Sequence, residues 1–125
     1  SLGIPPAQIA PFVTERVGLT QARRLMLTGA RFKGEEAQQY GIAHIVASDS
    51  DDLEAKCQDV LAQIAFCAPG ANAVTKGIVF ETTRKPRAQA LDFAASGFAD
   101  CMLSEEGAEG VSAFVEKRKP KWATQ

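Results

Sequence analysis

The sequence predicts a mostly α-helical chain with one short strand. Apolar residues recur every three or four positions through most of its length, the spacing of one helix face. Several prolines and glycines fall where these stretches begin and end, and only residues 42–46 read as a strand.

The opening Leu2-Gly3-Ile4-Pro5-Pro6-Ala7 is too rich in proline for a regular element, because Pro6 drives Pro5 out of the helical region. A helix is predicted over 7–16, with Ile9, Phe12 and Val13 on one face and Pro11 tolerable only in a first turn. Gly18 breaks it. Thr20 can cap a second helix to Leu27 that buries Ala22, Leu25 and Met26, turns Arg23 and Arg24 outward and stops at Gly29. Residues 34–41 read as a short helix with Glu35 and Glu36 at its positive end and Gly41 at its close. After the strand, Asp49, Asp51 and Asp52 precede a helix over 53–67, whose stripe is Leu53, Cys57, Val60, Leu61 and Ile64. Pro69 and Pro86 each open a further helix. The first should bury Val74, Ile78 and Val79; the second carries Leu91, Ala94, Ala95, Phe98 and Met102 on one face. Ser104 can cap a last helix, with Glu105 and Glu106 in its first turn and Lys117 and Arg118 in its last. The lone strand has no partner within the chain, so its backbone groups need one from outside or the strand stays marginal.

Fourteen Lys and Arg against fifteen Asp and Glu leave a net charge of -1, which offers polyanions such as nucleic acid no general attraction. The uncharged run 60–75 is interrupted by Gln63, Pro69-Gly70 and Asn72, so a membrane span is not expected. Cys57, Cys67 and Cys101 are too few and too scattered for a disulfide framework or a zinc site. They read as reduced core residues of a cytoplasmic protein. The chain starts at Ser1 without a methionine and carries no charge from Ser1 to Val13, which reads as the interior of a larger protein.

Candidate chemistry is sparse. The one histidine, His44, reads as a half-buried strand residue, and no nucleophile motif accompanies it. The acidic pairs 35–36, 51–52 and 105–106 sit at helix starts, where dipole and capping effects account for them. No metal site and no catalytic residue is expected among residues 1–125. The informative cluster closes the chain: Lys117, Arg118, Lys119 and Lys121 lie beside Phe114 and Trp122. Cations and aromatic surface together suit a phosphate-bearing ligand with an aromatic base, although a basic helix end can also be plain solvated surface.

The run Phe114-Val115-Glu116-Lys117-Arg118-Lys119-Pro120 resembles the closing motif of the enoyl-CoA hydratase/isomerase, or crotonase, superfamily. Leu2-Gly3 with following prolines, Val17-Gly18, Leu27-Thr28-Gly29, Glu35-Glu36-Ala37, Tyr40-Gly41-Ile42 and Glu109-Gly110 repeat that resemblance in order along the chain. It implies the C-terminal half of the α/β crotonase (ClpP/crotonase-like) fold, including its helical trimerisation region. Residues 1–48 would end the spiral core, and residues 49–125 would form the helical oligomerisation region of a homotrimer or dimer of trimers. Both catalytic glutamates and the oxyanion-hole amides would precede the position of Ser1, in an N-terminal half outside this sequence. The 125 residues alone should then be inactive.

The same resemblance implies an acyl-CoA thioester as ligand, with no cofactor beyond the coenzyme A of the substrate. Phe114 would line the acyl or pantetheine channel and Lys117 would reach the coenzyme A phosphates, while Lys119 and Lys121 stay solvated. Ile4, Pro5, Pro6 and Gln8 would border the acyl pocket. Many relatives carry a glycine-rich turn there, so prolines mean fewer backbone donors, a stiffer wall and a different substrate preference. This variant resembles hydratases of branched, carboxylated enoyl thioesters in acyclic terpene breakdown. The alternatives are another hydratase or isomerase of the superfamily, or a non-catalytic module for oligomerisation and coenzyme A contact.

Overall fold

The computed structural model describes residues 3–124; Ser1, Leu2 and Gln125, and with them the Leu2 of the opening motif, lie outside the described residues. Six α-helices follow one another: α1 Ala10–Thr28, α2 Gly34–Gln39, α3 Ser50–Ala65, α4 Pro69–Arg84, α5 Arg87–Met102 and α6 Glu105–Val115, with a final 3-10 turn at Lys121–Thr124. The chain divides into two compact units, Ser1–Cys57 and Gln58–Gln125, whose boundary falls inside α3.

In the first unit α1 starts at Ala10, three residues later than the sequence predicts, because only then does Pro11 stand in the first turn, where its missing N–H is not needed. Gly18 interrupts it with φ 76 and ψ 161, a conformation reserved for glycine, so two helical pieces meet at the predicted break. Ala22 and Leu25 are buried, as their spacing requires. Gly29 and Gly41 close α1 and α2 in the left-handed region. Each does so with the paired backbone bonds of a Schellman turn: Ala30 N–H to Leu25 O and Gly29 N–H to Met26 O in one, Ile42 N–H to Ala37 O and Gly41 N–H to Gln38 O in the other.

The second of those turns removes the predicted strand. Among the described residues none is in a β-strand. The N–H groups of Ile42 and Ala43 both return to Ala37 O. The carbonyls that a sheet would have used accept instead from side chains: Ile42 O from Arg16 at 3.1 Å, His44 O from Gln38 at 2.9 Å and Val46 O from Lys56 at 2.9 Å. Three long polar side chains thus do the work of a neighbouring strand.

Asp49 accepts from the Asp52 N–H at 2.9 Å and thereby caps α3. The helix therefore begins at Ser50 rather than Leu53. Its apolar stripe is exposed, and α3 buries none of its residues. Cys57 and Cys67 are exposed and Cys101 is half-buried, all three as free thiols, so the core placement read from the sequence does not hold within this chain.

In the second unit α4 packs on α5 and α5 on α6. The contacts are made by small residues. Gly97 lies so close to Val74 that a Cβ there would come within 2.8 Å of it, and Gly107 lies against the Cys101 carbonyl. Ala90 and Ala113 are the buried residues of α5 and α6. Close approach through small residues leaves the larger ones outside: Val79, Leu91, Phe98 and Met102 are all exposed, contrary to the buried faces their spacing suggests. Helical spacing identifies which residues share a face and carries no information on whether anything covers it.

Ser104 caps α6, its Oγ accepting from the Gly107 N–H at 3.0 Å. The N-terminus of α4 has only Ala68 at its cap position. Its partner comes from α6: the Glu106 carboxylate accepts from Gly70 N–H at 2.9 Å and from Ala71 N–H at 3.3 Å. Glu106 thus serves the positive end of α4 as well as its own helix.

Candidate functional site

The predicted ligand residues fall in two places, one in each unit. Phe114 and Lys117 lie at the end of α6. The helix stops at Val115, so Lys117 and Arg118 are past its last turn rather than within it. The chain turns back at Lys117, which has φ 54 and is the only residue other than glycine with a positive φ among the described residues. The bonds are again those of a Schellman turn, Arg118 N–H to Ala113 O at 3.0 Å and Lys117 N–H to Phe114 O at 3.2 Å. Gly29 and Gly41 occupy the equivalent position in the two other turns. A side chain there is unfavourable by about 1–2 kcal/mol, because its Cβ crowds the following carbonyl.

The rest of the closing segment is tied to Glu109, one and a half turns back in α6. Arg118 grips both oxygens of that carboxylate, at 2.6 and 3.2 Å, and its Nε donates to Glu116 at 2.6 Å. The Lys121 N–H donates to Glu109 at 3.0 Å, and its ammonium stands 3.7 Å away. Hydrogen bonding from Arg118, reinforced by Lys121, holds the Glu109 pKa down at about 2. The same pairing raises that of Arg118. Trp122 anchors the end of the segment by donating to Phe66 O at 3.2 Å.

Two of the four cations in the cluster are therefore committed to carboxylates. Lys117 and Lys119 form no ion pair among the described residues. Lys117 stands in the turn directly after α6, whose Phe114 is 85% exposed. An apolar ring and an ammonium without a counter-charge are thus available together to a ligand with apolar and phosphate parts. Glu109 organises this segment, and sequence reasoning missed that role: its separations from Arg118 and Lys121 are not helical spacings, and the only available signal was its place in the Glu109-Gly110 motif.

The other predicted residues, Ile4, Pro5, Pro6 and Gln8, form an exposed turn ahead of α1. Ala7 N–H bonds to Pro5 O at 2.8 Å and Ala10 N–H to Pro6 O at 3.0 Å, so the prolines contribute carbonyls to the turn and no donors. A shallow cavity of about 300 Å³ is lined by residues 5–9. Pro6 also reaches a larger apolar one, about 610 Å³, walled by Ile9, Phe12, Val13, Leu25 and Phe32. In the second unit a cavity of about 650 Å³ lies beside Val74, Cys101, Gly107, Gly110 and Trp122; of the closing cluster it takes in Trp122 and neither Phe114 nor Lys117.

His44 is exposed and belongs to no strand; Arg16 Nη2 donates to its Nε2 at 3.1 Å, which requires the neutral Nδ1–H tautomer. Asp49 and Asp52 are held below the ordinary carboxylate range, the first mainly by the Asp52 N–H and the second mainly by Lys56. Such shifts keep a carboxylate ionised, the opposite of what a general acid needs. Among the described residues no group of three or more His, Cys, Asp or Glu could hold a metal ion. No helix among the described residues is long and apolar enough to cross a membrane.

The run of helices, the closing Schellman turn and the family motif it contains place the chain in a defined class. Residues 1–125 match the enoyl-CoA hydratase/isomerase family, and the chain belongs to it. Its fold is that of the helical C-terminal part of crotonase-type hydratases.

Among solved structures it is similar to AtuE of Pseudomonas aeruginosa, with 52% identity and a TM-score of 0.90 over 98% of this chain and 47% of that one. It is also similar to an enoyl-CoA hydratase/isomerase from Marinobacter aquaeolei, with 48% identity and a TM-score of 0.87 over 98% and 46% of the two chains. The enoyl-CoA hydratase ACTT6 of Alternaria alternata is 37% identical over 86 residues, which are 69% of this chain and 28% of that protein. The chain thus spans less than half the length of these relatives.

Proposed function

We propose that the protein acts as an enoyl-CoA hydratase on a branched, carboxylated 2-enoyl-CoA, isohexenylglutaconyl-CoA, in acyclic terpene (citronellol and geraniol) catabolism. Residues 1–125 contribute ligand contacts and subunit association to this activity. In the reaction water adds across the double bond: hydroxide equivalent to the β-carbon, a proton to the α-carbon, through a thioester enolate stabilised by hydrogen-bond donors. The glutamates that move those protons and the enolate-stabilising amides belong to the part of the enzyme outside these residues.

The observation that carries this reading is the closing turn. Lys117 has no paired carboxylate among the described residues, holds a conformation that favours glycine, and lies beside exposed Phe114. Lys117 meets the coenzyme A phosphates and Phe114 covers the apolar arm of the thioester. Ile4, Pro5, Pro6 and Gln8 border the acyl group, where a turn poor in donors offers apolar surface to the branched hydrocarbon arm. The exposed faces of α3 and α5 are the surfaces used in a homotrimer or a dimer of trimers.

Steady-state kinetics of the full-length protein test the substrate. A higher kcat/KM for isohexenylglutaconyl-CoA than for crotonyl-CoA is expected, and the reverse preference would reject the branched substrate. Coenzyme A-ester binding with no hydration of either ester would favour the non-catalytic module.

A further inference from the structure

We propose that Glu109 is a positioning residue for the coenzyme A-phosphate contact: by gripping Arg118 and the Lys121 backbone it holds the closing turn in place and leaves Lys117 as a cation free to meet the ligand. The inference rests on the reading of Lys117 given above and adds a residue that acts through it.

Three observations lead to Glu109. It sits within α6, and its side chain is only 14% exposed, so it is a rigid anchor rather than a loose surface carboxylate. It accepts from groups on the far side of the reversal, Arg118 by a two-pronged guanidinium contact and Lys121 by its backbone N–H. Both lie within four residues of Lys117, so the strained residue is spanned by a staple with one end in the helix. A left-handed conformation at a residue with a side chain persists only where its surroundings over-determine it, and such residues gather at ligand contacts.

The charge arrangement supports the same role. The segment 116–121 brings together four cations and Glu116. If Glu109 were absent, Arg118 would keep only Glu116 and its outer nitrogens could compete with Lys117 for an incoming phosphate. With Glu109 present, Arg118 is held by two carboxylates and Lys121 is drawn to one, so the uncommitted positive charge is confined to Lys117 and Lys119. A carboxylate can in this way strengthen binding of an anion by fixing which cation receives it.

The test is a double-mutant cycle in the full-length enzyme, read as KM and kcat on an enoyl-CoA that it hydrates and on the pantetheine thioester of the same acyl group. Lys117→Ala should raise KM for the CoA ester roughly 10-fold, as expected for the loss of one charge-assisted contact, and leave the pantetheine ester unchanged. Glu109→Gln should raise KM for the CoA ester about 3- to 5-fold, leave kcat within about 2-fold, and add almost nothing in the Lys117→Ala background, since residues that act as a unit are not additive. Equal effects of Glu109→Gln on the two esters, or the same factor in both backgrounds, would overturn the positioning role while Lys117 kept its assignment. If Lys117→Ala itself fails to separate the two esters, the phosphate reading falls first and this inference with it. Should Glu109→Gln not fold, Arg118→Lys, which keeps the charge and loses the two-pronged grip, is expected to give the same KM pattern.

Discussion

Replacing Lys117 with glycine should stabilise the protein while weakening its grip on coenzyme A esters. The residue has φ 54, and its Schellman turn repeats those closed by Gly29 and Gly41. Relief of the left-handed conformation is worth about 1–2 kcal/mol. The greater freedom of glycine in the unfolded chain takes back about 0.5–1 kcal/mol. The net expectation is a gain of about 0–1.5 kcal/mol for Lys117→Gly, centred below about 1 kcal/mol, and no such gain for Lys117→Ala, whose Cβ keeps the crowding. Urea unfolding at one fixed protein concentration reads the difference as a higher midpoint at unchanged slope, with the concentration held because association alters apparent stability. Gly41→Ala, at φ 75, provides the reverse control and should cost stability. Lys117→Gly unfolding at or below the midpoint of Lys117→Ala would refute the argument from conformation.

Three further outcomes follow from a cap, a close helix contact and a charge. Ser104→Ala should cost about 1 kcal/mol through loss of the α6 cap, with Ser104→Asp close to the parent, as thermal or urea unfolding will show. Gly107→Ala should be more damaging, about 1–3 kcal/mol, because its Cβ would press on the Cys101 carbonyl and force α5 and α6 apart. For pH, the Glu109 carboxyl drops from an ordinary value of 4.5 to about 2 on folding, mainly through the hydrogen bond from Arg118. Its stabilising contribution is therefore complete above about pH 4.5 and is lost as the pH falls from there towards 2. Glu109→Gln should flatten that part of the stability–pH curve, and an unchanged acid limb would show that the pairing adds nothing to folding.

Much of the local structure was legible because its causes are local. Gly18, Gly29 and Gly41 mark breaks and closures since each needs a φ that other residues resist. Pro69 starts α4 and Ser104 caps α6, as their chemistry dictates. The closing run from Phe114 to Pro120, together with the ordered motifs before it, suggested the family. The strand at 42–46 misled because its β-branched and apolar residues suit a pleated surface, while the groups that claim its backbone, Arg16, Gln38 and Lys56, lie elsewhere in the chain. The service of Glu106 to α4, across 36 residues, had no periodic signal at all.

The sequence by itself determined that helices fill the stretches between these breaks, to within a few residues at their ends, which residues share a face, and which family the chain resembles, since propensity, capping and periodicity act over a turn or two. Only the tertiary structure decided which faces are covered, which cations are already paired, and that Lys117 carries a turn normally given to glycine. Those properties depend on atoms brought together from distant positions. In this chain the clearest case is one carboxylate, Glu109, which distinguishes otherwise similar basic residues by holding Arg118 and drawing in Lys121, while Lys117 has no ion pair among the described residues.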